Sequence, residues 1–202
     1  MQQQEKRAIS SDLEKPRRYS TRDLVVIAIL AALGNVISSM LDLLKPLFKA
    51  SPVPFFQLFG GYHLIWMALA FGITKKYGAP TFTAAIKGIL EFFFWDPFFG
   101  VWVILLNLLE GAMIDVGFYI GQYIKSERRR WILAGLTGNT FQPIVSYSIV
   151  FYYLGKPFPD PTILLIAMGF AVVSGALIAG LLGYQLDKVL HRSDVQAFIS
   201  SH

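Results

Sequence analysis

Residues 99–124 read FGVWVILLNLLEGAMIDVGFYIGQYI, an apolar run whose only charged side chains are Glu110 and Asp115. It is longer than the roughly 20 residues a helix needs to cross a bilayer core. Working outward, five more apolar stretches lie at roughly 23–44, 58–74, 79–95, 131–154 and 162–189, each bounded by charges or prolines. The expected fold is therefore an all-α integral membrane protein, a bundle of six transmembrane helices. Residues 1–22 form a cytoplasmic tail, 23–189 the membrane domain and 190–202 a second cytoplasmic tail. The second and third stretches are short, so a count of five is the alternative.

Composition agrees. The 202 residues are 54% apolar and 15% charged, with a mean hydropathy of +0.52 and no cysteine. Soluble domains are about a quarter charged. A water-soluble enzyme, a disulfide scaffold, a cysteine zinc site and a cysteine nucleophile are excluded. The N-terminal tail is too polar for a signal peptide, and no small-residue cleavage site follows the first apolar run.

The net charge of +5 is a topology signal. With six spans, fourteen of the eighteen lysines and arginines fall on the side of the termini and of the loops near 75–78 and 125–130. Three, Lys45, Lys49 and Lys156, fall on the other side, and Lys87 lies within a span. Basic residues stay on the cytoplasmic face, so both termini are expected there. The outward loops 45–57 (KPLFKASPVPFFQ) and 155–161 (GKPFPDP) are rich in proline and aromatics. They read either as stiff covers for a cavity or as ordinary connections. Trp95-Asp96-Pro97 reads as a tight turn with Asp96 as N-cap.

Three acids fall inside predicted spans: Glu91, Glu110 and Asp115. Each costs roughly 2.5–3.5 kcal/mol at a helix centre on insertion scales, so such groups face the bundle interior or a wet cavity. Lys87 and Glu91, four apart, share a helix face and can pair. That pair is either a self-neutralising clamp or part of a site. Asn107 and Glu110 also share a face, while Asp115 is turned away by about 140°. Glu91, Asn107 and Glu110 are expected to converge in the outer half of the bundle, and Asp115 to serve structure or coupling. Three acids against one base leave a formal −2, which favours a cationic or amino-bearing ligand.

In the fifth stretch Pro143 removes a helical hydrogen bond and frees the Asn139 carbonyl, with Tyr147 one turn beyond on the same face. A satisfied kink is the plainer reading. His63 reads as an interfacial hydrogen-bonder. Aromatics crowd the outer ends, most of them as an interfacial belt, a few able to cage a flat cation. Small residues recur four apart at Ala28/Ala32, Gly117/Gly121, Gly175/Ala179, Ala176/Gly180 and Ala179/Gly183, spacing that permits close helix approach. There is no GxxxxGK[ST], HExxH or GxSxG, no aspartate-rich phosphotransferase motif and no inverted repeat.

The opening YSTRDLVVIAILAALG with its Ala28/Ala32 strip resembles the first helix of the S components, the substrate-binding membrane subunits of energy-coupling factor (ECF) vitamin transporters. Three further stretches look like the YkoE-type thiamine/hydroxymethylpyrimidine branch. They are Glu91 followed by Asp96-Pro97, Glu110-Gly111 followed by Asp115, and the closing SGALIAGLLG. The resemblance implies a plasma-membrane subunit, not an enzyme and without cofactor or metal. It would capture a vitamin from outside, thiamine or hydroxymethylpyrimidine, for an ABC-type importer. A transmembrane T component and two ATPase subunits would drive uptake. By position, Ala28 and Ala32 would dock the T component and Glu91 would be a pocket carboxylate. Glu110 departs from the branch, where a neutral amide is expected.

On that basis Glu91, Asn107, Glu110, Trp102 and Tyr147 are the expected substrate-binding residues. The two acids accept from an aminopyrimidine or face a thiazolium, Asn107 offers a bidentate amide, Trp102 and Tyr147 stack on the ring, and loop 45–57 closes as a lid. Glu91→Gln is expected to weaken binding without unfolding the protein. The other function classes are a membrane enzyme acting on a lipid or isoprenoid substrate, disfavoured by acids dispersed in depth, and a structural membrane subunit.

Overall fold

The structure is a computed structural model that describes residues 18–44, 54–94 and 100–192. The Trp95-Asp96-Pro97 turn, positions 45–53 of the expected lid, and the greater part of both expected tails lie outside the described residues. The described residues are helical between short connections: α1 Thr21–Asp42, a 3-10 turn Phe55–Phe59, α2 Gly60–Thr74, α3 Ala79–Phe94, α4 Trp102–Gly121, α5 Glu127–Thr140, α6 Gln142–Leu154, α7 Pro161–Ser174, a π-helical segment Gly175–Leu182 and α8 Gly183–Arg192.

These elements make six segments, the fifth being α5 with α6 and the sixth α7 through α8. Four are long and apolar enough to cross a membrane: Thr21–Leu41, Phe55–Thr74, Trp102–Gly121 and Pro161–Arg192. The other two fall short for a physical reason. Helix α3 has 16 described residues and carries Lys87 and Glu91, and the fifth segment is interrupted at Phe141. Pro143 therefore does not kink a continuous helix. It sits in the first turn of α6, where its missing N–H removes no helical bond.

Helix α2 lies at the centre, touching α1, α3, α4, α5, α7, the π-helical segment and α8. Its buried face packs Leu64, Met67, Ala68 and Phe71 into the core. The Phe71 ring stacks on Phe118 at 4.0 Å, and Phe118 meets Trp131 edge-on at 5.3 Å. Helix α1 buries Ile27, Leu30, Ala31, Gly34, Asn35, Ser38 and Ser39, a stripe at helical spacing, and leaves Ala28 and Ala32 exposed.

The small residues of SGALIAGLLG pack within this chain. A Cβ on Gly135 of α5 would fall on the Gly175 carbonyl oxygen, so the two backbones touch directly. A Cβ on Gly117 would likewise meet Thr137 and the backbone of Ala134.

The end of the bundle that carries the described termini is tied by polar contacts. Ser20 caps α1, with its hydroxyl accepting from the Asp23 N–H at 3.2 Å while its own N–H donates to Asp23 at 2.7 Å. Lys76, in the α2–α3 loop, pairs with Asp23 and donates to the Arg18 carbonyl at 2.8 Å. Lys75 lies 3.5 Å from Asp187 of α8. Tyr19 donates to the Tyr77 carbonyl at 2.8 Å. Burial, with the Asp115 and Asp23 charges adding, pushes the Tyr19 phenol up to about 12.

Candidate functional site

At the opposite end the start of α2, the end of α3, the start of α4 and the whole of α6 surround a cavity of about 260 Å³. Phe56 and Gln57 of the 3-10 turn lie over it, with Gly60 and His63 of α2 beside them. Helix α3 contributes Lys87 and Glu91. Helix α4 contributes Val103, Leu106, Asn107 and Glu110, one stripe at i, i+3, i+4 and i+7. Asn139 of α5 and Gln142, Ser146, Tyr147 and Val150 of α6 complete the wall.

One side of this wall is a closed polar network. Lys87, fully buried, donates to Glu91 Oε2 and to Asn107 Oδ1, both at 3.0 Å. Asn107 donates to the same Glu91 oxygen at 2.6 Å and to the Val103 carbonyl at 2.9 Å. His63 Nδ1 stands 3.8 Å from the other Glu91 oxygen. The sequence pairing of Lys87 with Glu91 thus reaches across to α4 and locks α3 against it. Gly88 lets them approach, since a Cβ there would meet the backbone of Ile104 and the side chain of Asn107.

The other side is open. Glu110 is half-buried in the cavity wall, and no hydrogen bond or ion pair reaches its carboxyl from the described residues. Gln142 Oε1 is buried without a donor. A buried acceptor left unpaired costs about 1–3 kcal/mol, so the bundle gains nothing by keeping Gln142 in that position. The Tyr147 ring is half-buried beside them.

Four of the five expected substrate-binding residues therefore share one cavity: Glu91, Asn107, Glu110 and Tyr147. Trp102 is not among its lining. It falls off the 103/106/107/110 stripe, and its ring packs against Tyr153 at 4.2 Å. The bidentate amide expected of Asn107 is spent inside the chain, with both N–H groups donated and the oxygen accepting from Lys87. The expected −2 reduces to one unpaired carboxyl. Glu91 is neutralised by Lys87, and Asp115 belongs to the other end, where it accepts from the Gly78 N–H at 2.7 Å, the Thr81 N–H at 3.1 Å and the Thr81 hydroxyl.

Gln57, Asn139, Gln142 and Ser146 were not singled out as binding residues by sequence, and His63 reads there only as interfacial. The available signal was polarity in a membrane segment: Asn139, Gln142 and Ser146 fall among Thr137, Thr140 and Ser148 in a mostly apolar stretch. Asn139 also holds the fold, donating to the Ala171 carbonyl at 2.8 Å.

Comparisons with known proteins bear on this arrangement. A family model described as "ABC-type cobalt transport system, permease component" matches residues 22–141. The chain is 24% identical over 166 residues to YkoE of Bacillus subtilis (strain 168), a protein named as an HMP/thiamine permease, over 82% of this chain and 76% of that one. A crystal structure of an S-component of an ECF transporter has the same fold, with a TM-score of 0.72, 21% identity and 86% of each chain covered.

Proposed function

The chain belongs to the permease-component family of ABC-type cobalt transport systems, and from that premise we propose that it is the substrate-capture subunit of an ECF-type importer. It is a multi-pass protein of the plasma membrane with the fold of an S-component. In this proposal the cavity faces outward and both tails, 1–22 and 190–202, face the cytoplasm, in keeping with the distribution of basic residues. A T component and two ATPase subunits supply the work of release. The exposed Ala28 and Ala32 on α1 offer the T component a smooth strip for close packing.

The substrate proposed is thiamine or its hydroxymethylpyrimidine precursor, bound by Glu91, Glu110 and Tyr147, with Asn107 holding Glu91 in place. The observation that carries this is that the Glu110 carboxyl and the Gln142 oxygen, both without partners among the described residues, line one cavity, opposite the Lys87–Glu91–Asn107 network. These are acceptors waiting for an N–H-rich or cationic ring. The name of the Bacillus subtilis relative supports the same class. Cobalt ion is a poor fit: among the described residues no three His, Asp or Glu side chains converge to hold a metal, and the Lys87 ammonium occupies the heart of the polar wall.

The test is to purify the chain in mild detergent, identify any retained small molecule by mass spectrometry, and heat it with a vitamin panel. A ligand that binds only the folded state at about 100 times its Kd adds about 2.7 kcal/mol. Stabilisation by thiamine or hydroxymethylpyrimidine is expected. Stabilisation by neither would overturn the substrate reading.

A further inference from the structure

The titratable side chains lining the cavity are His63, Lys87, Glu91, Glu110 and Tyr147. Lys87 and Glu91 cancel at 3.0 Å. His63 Nδ1 stands 3.8 Å from the other Glu91 oxygen. Glu110 is then the carboxyl of the lining without a hydrogen bond or ion pair among the described residues, with the uncommitted oxygen of Gln142 in the same wall.

We propose that Glu110 is the charge selector of this cavity, admitting a ligand with one positive charge in preference to a neutral one of the same shape. A permanent cation such as the thiazolium ring neutralises the carboxylate in a place where water screens little, and each charge replaces part of the hydration the other loses. Tyr147 lines the same cavity, and an aromatic ring attracts a cation set over its face. A neutral aminopyrimidine can donate N–H groups to Glu110 and Gln142, yet it leaves the carboxylate charge uncompensated. Of the two compounds in the relative's name, thiamine is therefore the favoured cargo and the free pyrimidine the weaker. The selector rests on the proposed function.

Equilibrium binding of thiamine and of hydroxymethylpyrimidine is measured for the wild-type chain, Glu110→Gln and Glu110→Asp in detergent under one set of buffer conditions. Glu110→Gln keeps an acceptor oxygen and loses the charge. It is expected to lower thiamine affinity about 10- to 100-fold, the scale of a lost charge-assisted contact, and to change pyrimidine affinity by less than about threefold. Glu110→Asp keeps the preference for the cation. Equal losses for both ligands in Glu110→Gln would overturn the selector and leave the functional reading standing. Binding of neither ligand by the wild-type chain would overturn the functional reading, and the selector with it. A second measurement needs no variant: an N-methylated thiazolium fragment should outcompete the uncharged thiazole of the same shape by at least about tenfold. Equal competition overturns the selector.

Discussion

The two ends of the bundle both bury carboxylates, and they treat them differently. At the end carrying the termini, Asp115 takes two backbone N–H groups and a hydroxyl at the start of α3, and Asp23 is held by its capping box and by Lys76. At the cavity end, Glu91 is held by Lys87 and Asn107, while Glu110 has no partner among the described residues. Asp115, Asp23 and Glu91 are held by hydrogen bonds from the chain. Glu110, unsaturated among the described residues, stands in the cavity wall where a guest can reach it.

That difference makes stability and binding respond in opposite order to substitution. The largest loss of stability is expected from Lys87→Met, which leaves Glu91 buried without the Lys87 countercharge. Removing one partner of a buried pair costs about 3–5 kcal/mol, readable as an early unfolding transition in detergent. Replacing both partners together, Lys87→Met with Glu91→Leu, should recover most of it, because well-packed apolar substitutes for a buried pair are often neutral. For the same reason Glu91→Gln should destabilise the bundle, against the expectation from sequence that it leaves the fold intact. The structure gives the cause: Lys87 is fully buried and would lose its countercharge.

Next comes Asp115→Ala, expected to cost about 2 kcal/mol by stripping the cap from α3 while leaving ligand affinity unchanged. A loss of affinity in Asp115→Ala would show that the two ends are coupled and blur the contrast.

A smaller effect is expected from Tyr19→Phe, at most about 1 kcal/mol for one partly exposed hydrogen bond. Its pH signature sharpens the test. The phenol is raised from 10.0 to about 12 in the fold, so the stability it adds is fully present below 10 and is lost as pH climbs through about 12. Wild type should therefore lose more stability than Tyr19→Phe across that window.

Much of this was legible in the sequence because the bilayer makes polarity informative. Lys87 and Glu91 at i, i+4, and Asn107 and Glu110 at i, i+3, place four groups on two facing stripes, and the structure brings them together. Long-range pairing was not legible. The Asp115 partners are the backbone of Gly78 and Thr81, 37 and 34 positions away, and a backbone N–H leaves no mark in a sequence. Trp102 looked like a stacking residue because it is aromatic and near Asn107, but the helical angle turns it toward Tyr153. The break at Phe141 was read as a proline kink, since a proline in a long apolar stretch does not by itself say whether it bends one helix or opens another.

The smallest effect on stability, about 0.5 kcal/mol or less, belongs to Glu110→Gln, since no partner is lost. The same variant carries the largest effect on binding, which makes one measurement decisive. Thermal unfolding of the wild-type chain, Asp115→Ala and Glu110→Gln is followed with and without saturating thiamine. Wild type and Asp115→Ala should gain equal stabilisation from the ligand, and Glu110→Gln should gain little at the same concentration. A full ligand response in Glu110→Gln, with none in Asp115→Ala, would contradict the account.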